Sequence, residues 1–186
     1  MTEWYSYTLE SPYGAVNIVW RRDPDGPRVH RVLLPCEVAS AREHLAAPYP
    51  SATPKSTNGL PPLLHDLARF VEGHAVTFDL DLLALETCRP FQRSVLLAEA
   101  AIPRGWVSTY GLIAAHLGKP GGARAVGRAL ATNPFPLIIP CHRAIRSDGS
   151  LGGFRGGLPM KRALLERESV PFTSSGRVRM ERVHYR

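Results

Sequence analysis

The polar and apolar positions along the chain change their period near the middle. Two early stretches, "WYSYTL" (4–9) and "AVNIVW" (15–20), are rich in β-branched and aromatic residues. The turn signal Ser11-Pro12-Tyr13-Gly14 separates them, which predicts two strands. "DPDGP" (23–27) predicts another turn, and "RVHRVLLP" a third strand. Residues 37–46, "EVASAREHLA", read as a short helix. "PYPSATPKSTNGLPP" (48–62) is polar and proline-rich without an apolar period, as a loop would be. "PLLHDLARFVEG" (62–73) puts Leu63, Leu67 and Phe70 on one helical face, with Gly73 as a stop. "VTFDLDL" predicts one last short strand.

Beyond it the period is mostly helical. Pro90 opens a helix over 90–101. Ser108 or Thr109 can cap a helix through about His116, which Gly118 ends. After the turn Lys119-Pro120-Gly121-Gly122, "ARAVGRALA" (123–131) predicts a second short helix. Such a pair is a helix-turn-helix candidate, although many helix pairs bind nothing. After Asn133-Pro134 comes an apolar strand, "LII", that runs into Pro140-Cys141-His142-Arg143. "PMKRALLERE" (159–168) predicts an amphipathic helix, and 169–186 is a basic tail. These elements describe an α+β chain with domains at 1–86 and 87–186, the ordered core of the second ending near residue 170. No repeat is visible.

Charge sharpens that division. The formal net charge is +7. Residues 1–86 hold seven Lys and Arg against eleven Asp and Glu, a balance of −4. Residues 87–186 hold sixteen against five, a balance of +11. A basic second half fits a polyanionic partner, most simply nucleic acid. No apolar run approaches the ~20 residues of a membrane span. The N-terminus lacks the pattern of a signal peptide, so an intracellular protein is expected, cytoplasmic or nuclear. Three cysteines without a C-x-x-C pair predict neither a disulfide framework nor a structural zinc site.

Cys141 is the candidate nucleophile. A thiol attacks as thiolate, and a free cysteine titrates near ~8.5. A neighbouring base or a positive field must therefore favour the thiolate. His142 is adjacent, but consecutive residues of a strand face opposite ways, so it reaches the sulfur only if the chain turns there or a water intervenes. A carboxylate could orient the imidazole, and Glu166 or Glu168 could supply it. An inert buried thiol is the other reading of a lone cysteine at a strand end. The loop "GSLGGFRGG" favours a site: four glycines in six residues, 152–157, let backbone approach a flat ligand closely.

"PCHR", the following "SDGSLGGFRGGLPMKRALLERE" and the upstream "VSTYGLIAAHLGKPGGARAVGRALATNPFPLIIPCHR" resemble the O6-alkylguanine-DNA alkyltransferase family, over roughly residues 87–170. The resemblance implies a small RNase-H-like α/β domain followed by a mainly helical domain that carries a helix-turn-helix and the reactive cysteine. It implies irreversible transfer of the alkyl group from O6 of guanine to Cys141, once per molecule, without cofactor or metal. O4-alkylthymine is a second candidate substrate. His142 would take the thiol proton through a water. Glu168, which matches the family's carboxylate by its distance from the cysteine where Glu166 does not, would stabilise the imidazolium. Asn133 would hold the turn, and Tyr110 would donate a proton toward guanine N3. Phe154, Gly152, Gly153, Arg155 and Pro140 would line the substrate pocket.

The same resemblance implies a monomer that binds double-stranded DNA in the minor groove. Arg124 would fill the space left by the flipped base. Ala123, Ala125 and Gly127 are small enough for a narrow groove, and Thr109 and Arg128 complete the DNA-binding set, with Arg89 a further phosphate contact. There are departures from the family pattern. Leucine stands at the tryptophan of F-Q-x-x-V-W, Phe154 replaces a common tyrosine, and Arg128 stands where some relatives have glycine. Zinc ligands of some relatives have no counterpart. Two other classes compete: an alkyltransferase-like sensor, from which Cys141 distinguishes this chain, and a Cys-His hydrolase, which leaves the basic helix pair unexplained. A Cys36–Cys88 bridge is disfavoured in a reducing compartment.

Overall fold

The computed structural model describes residues 4–35, 53–54 and 60–186. The expected helix at 37–46, most of the 48–62 loop and Cys36 lie outside them. The chain forms two compact units: residues 1–85 with 134–138, and residues 86–133 with 139–186.

The first unit is built on a sheet of order β3-β2-β1-β4. β1 (Trp4–Leu9) pairs antiparallel with β2 (Val16–Asp23), Tyr7 opposite Ile18. β2 pairs antiparallel with β3 (Gly26–Leu33), with a register shift at Val19/Trp20. The short β4 (Thr53–Pro54) runs parallel to β1. The turn after β1 closes as the Gly14 amide donates to Ser11 O at 2.9 Å, and Gly14 takes φ 107°, which favours glycine. Val16, Ile18, Val19 and Trp20 are all buried, so β2 is covered on both faces. α1 (Pro61–Val71) buries the predicted Leu63, Leu67 and Phe70, together with Leu64 and Val71.

Two expected strands do not form. At 76–82, the Asp79 carboxylate accepts from the Asp81 amide and nucleates a 3-10 turn over Leu80–Leu82. A short polar side chain has outcompeted the ladder. Backbone pairing with β3 is an isolated bridge of Leu83 with Val29, where the Ala84 amide donates to Val29 O at 2.9 Å. At 137–139, Leu137 has φ 74°, and Pro136 and Pro140 remove donors from the stretch. Residues 134–138 instead belong to the first unit, where Pro134 O accepts from the Val32 amide at 2.8 Å and Phe135 and Leu137 are fully buried.

The second unit follows the helical pattern. α2 (Pro90–Ala100) begins at its proline, and Gln92 Nε2 donates to Ala129 O and Thr132 O, closing the far end of the helix that ends at Ala131. Ser108 and Thr109 form β5, and Ala144 and Ile145 form the parallel β6. α3 (Tyr110–His116) and α4 (Ala123–Ala131) follow, α4 turning Val126, Ala129 and Leu130 inward. α5 (Gly157–Arg167) starts slightly before its expected position.

The ordered core does not end near 170. Val170, Val178 and Val183 pack with Val107, Ile145 and Leu165. The His184 amide donates to Val107 O, Tyr185 Oη donates to Ala98 O at 2.8 Å, and the Tyr185 ring stacks on His116. Apolar residues spaced among the tail's arginines pin it down. Among the described residues, no helix is long and apolar enough to cross a membrane.

Candidate active site

Where a strand was expected, the chain turns. Pro140 enters a 3-10 turn over Cys141–Arg143, and the Arg143 amide donates to Pro140 O at 2.8 Å. Cys141 is 8% exposed. Burial pushes its thiol up to about 11, against a hydrogen bond with Asn133 that favours the thiolate. Asn133 is itself buried, and its Nδ2 donates to Ile139 O at 3.2 Å, which braces the approach to the turn.

His142 and Arg143 both meet Glu168, just past the end of α5. His142 Nε2 lies 2.9 Å from Glu168 Oε1. Arg143 grips the same carboxylate as a fork, Nε to Oε2 at 2.9 Å and Nη2 to Oε1 at 2.8 Å. Its remaining Nη1 donates to Ile102 O at 2.6 Å. Burial alone would raise the Glu168 carboxyl, but His142 and Arg143 outweigh it and hold the group well below the usual carboxylate range. Burial pulls His142 down, and the attraction of Glu168 offsets that only in part. The resting set is therefore a neutral thiol, a neutral imidazole and an ionised carboxylate. A neutral imidazole can accept a proton, and the carboxylate stabilises the cation that results.

Tyr110 opens α3 beneath the Thr109 cap, whose Oγ1 accepts from the Leu112 amide at 3.1 Å. Thr109 is buried, and this placement is that of a helix cap. Burial, and then the charges of Glu99 and Cys141, push the Tyr110 phenol up to about 12, so it stays a donor. Its hydroxyl faces Gly152: with φ 69° there, an added Cβ would sit 2.7 Å from that oxygen. The Phe154 ring meets the His142 ring edge-on, centroids 6.4 Å apart. Arg155 Nη2 donates to Ala131 O at 2.6 Å, which ties the glycine loop to the end of α4. Gly153 O accepts from Lys161 Nζ at 3.2 Å. On α4, Arg124, Ala125 and Arg128 are exposed, and Ala123 and Gly127 are half-buried. Glu166 pairs instead with Arg162 on the outer side of α5.

Three charged residues escaped the sequence reading. Arg143 follows the Cys-His pair in the motif, which by itself implies no role for it. Glu99 and Lys161 are both fully buried. A signal existed for each. Lys161 shares a helical stripe with Leu164, Leu165 and Glu168, and Glu99 follows Val95 and Leu96 on the buried stripe of α2. Among the described residues, no group of three or more His, Cys, Asp or Glu could hold a metal ion. Cys88 carries a free thiol.

A buried cysteine beside a histidine–carboxylate pair suits thiol chemistry, and the exposed arginines of α4 suit a nucleic-acid partner. Residues 90–170 match the family described as 6-O-methylguanine DNA methyltransferase, DNA binding domain. A methylated-DNA–protein-cysteine methyltransferase of Methanothermobacter thermautotrophicus is 48% identical over 108 residues, 58% of this chain and 60% of that protein. The chain spans about 60% of the length of the curated relatives it matches. The crystal structure of Mycobacterium tuberculosis O6-methylguanine methyltransferase is similar over more of the chain. It is 32% identical with a TM-score of 0.71, covering 92% of this chain and 96% of that one. A structure of the Mycobacterium tuberculosis protein in complex with DNA also gives 0.71, covering 88% and 92%. The chain belongs to the methylated-DNA–protein-cysteine methyltransferase family.

Proposed function

We propose that this chain repairs DNA by moving the alkyl group of O6-alkylguanine irreversibly onto Cys141, once per molecule. The observation that carries the reading is the turn at 141–143, which gives a buried thiol a neutral histidine already bonded to an ionised carboxylate at 2.9 Å. The Sγ–C bond forms as the C–O6 bond breaks, and the electron pair leaves with the guanine. The thiol proton passes to His142 through a water, and Glu168 stabilises the imidazolium. Tyr110, kept protonated by burial, supplies a proton at guanine N3.

The target base must leave the duplex for Cys141 to reach it. α3 and α4 act as a helix-turn-helix, with α4 in the minor groove. Arg124 replaces the extruded base and Arg128 and Arg89 meet phosphates, supported by the exposure of all three. Phe154, Gly152, Gly153, Arg155 and Pro140 bound the base pocket. The first unit is a divergent RNase-H-like domain, and the protein works as an intracellular monomer on duplex DNA, with O4-alkylthymine as a second substrate.

Intact-mass spectrometry after incubation with an O6-methylguanine duplex tests the reading. The expected result is a gain of one methylene mass that maps to Cys141 and saturates at one per chain. Tight lesion binding without a mass gain would make the protein a sensor, and continuous turnover of a thioester substrate would make it a hydrolase.

A further inference from the structure

The proposed transfer leaves two buried charged groups without a task. Lys161 Nζ donates to Ala144 O at 2.7 Å and to Gly153 O at 3.2 Å, so it ties the residue after the Cys141–Arg143 turn to the glycine loop. Glu99, the penultimate residue of α2, is fully buried. The Ala144 amide is close enough to favour its charged form, but neither carboxyl oxygen completes a well-formed hydrogen bond among the described residues. Lysine and glutamate thus approach the carbonyl and the amide of one residue, three positions along the chain from Cys141.

We infer that Glu99 is a positioning residue of the transfer site, whose carboxyl, while it keeps its proton, makes Cys141 easier to ionise. The inference deepens the reading of Cys141 as the acceptor. The physical ground is charge within a sealed volume. An ionised Glu99 puts a second anion in the low-dielectric region where the thiolate must form. The charges around it come from every neighbouring element: Lys161 from α5, Arg143 and Cys141 from the turn, Tyr110 from α3 and Tyr185 from the tail. Arg146 acts on Tyr110 and Lys161, and Arg155 on Cys141. Burial pushes Glu99 up to about 8, despite Lys161 and Arg143, and its charge raises the thiol further. Lys161 is pulled down to about 8 by its own burial, so the pair titrates together.

Carboxamidomethylation of Cys141 by iodoacetamide, followed by peptide mass from pH 6 to 10, tests the inference without DNA. In the wild type the logarithm of the rate climbs one decade per pH unit to about pH 8, then flattens as Glu99 ionises. In Glu99→Gln and in Glu99→Leu it climbs straight through. The ratio of variant to wild-type rate rises by about threefold to tenfold between pH 7 and 9.5. Flattening that persists in both variants would assign it to Lys161 and overturn the inference. If neither variant gives a cooperative melt, NMR titration of wild-type protein with carbon-13-labelled glutamate decides. One carboxyl titrating near pH 8 supports the inference, and none above pH 6 overturns it. Failure of methyl transfer from a duplex would overturn the proposed function and leave the iodoacetamide profile to judge Glu99.

Discussion

Glu168 and Glu99 are both shut away in the second unit, and burial drives both carboxyls toward the protonated form. They finish in opposite states. Glu168 accepts from Arg143 at 2.8 and 2.9 Å and meets His142 at 2.9 Å, so it stays ionised. Glu99 lies in the field of Lys161 and Arg143 but has no such fork, and its carboxyl sits near 8. Depth is therefore a poor guide to charge in this site. Hydrogen-bonded cations at fitted geometry decide it, because only they replace the water that each carboxylate lost.

The comparison breaks most visibly at Glu168. Glu168→Leu leaves Arg143 buried without its anion and is expected to cost about 3–5 kcal/mol in denaturant titration. A loss below about 1 kcal/mol would mean that the fork contributes nothing beyond packing. The acid scan carries the same sign. The folded Glu168 carboxyl titrates below its unfolded value of 4.5, so its contribution is full above that pH and fades as pH falls below it. Glu168→Gln is expected to flatten the wild-type decline in that window and to slow transfer.

Glu99 should show the reverse dependence. Its folded value near 8 lies above its unfolded 4.5, so a protonated Glu99 favours folding at low pH, and that advantage is lost as pH rises to about 8. Glu99→Leu is expected to gain on the order of 4 kcal/mol over wild type at pH 8 and little at pH 4. Paired thermal melts at the two pH values check it, and a gain independent of pH would mean that Glu99 does not change protonation between them and that its cost is one of packing alone.

Tyr110 feels the field of Glu99, and Gly152 limits where its hydroxyl can lie. Gly152→Ala is expected to cost about 1–2 kcal/mol and slow transfer, from a positive φ and a forced retreat of the phenol. Arg124 supplies the contrast outside both clusters. Arg124→Ala should leave stability within about 0.5 kcal/mol. It should slow duplex repair by at least about tenfold while sparing reaction with free O6-benzylguanine, because only the duplex demands an unstacked base. Equal losses on both substrates would remove Arg124 from base extrusion.

Much of this is legible in the sequence. The periods that predict β1, β2, β3 and α1 to α5 are local, and those elements form close to their expected bounds. Pro90 and Thr109 open their helices because a missing amide hydrogen and a short hydroxyl suit those positions wherever the chain goes. The failures share a cause. "LII" is apolar enough for a strand, yet Leu137 adopts φ 74° and its segment packs into the first unit. The tail is basic enough to float, yet Val178 and Val183 have a core to enter.

The sequence by itself determined the order of most elements, the uneven charge, and the candidate thiol and carboxylate of the family motif, because each rests on residues near one another or at a motif's spacing. Only the tertiary structure decided that Arg143 shares Glu168 with His142, that Glu99 and Lys161 converge on Ala144, and which of these groups keep their protons. The reason is physical. A side chain's protonation depends on the water it loses and on the charges that folding brings beside it, and those come from segments as far apart in the chain as α2 and α5.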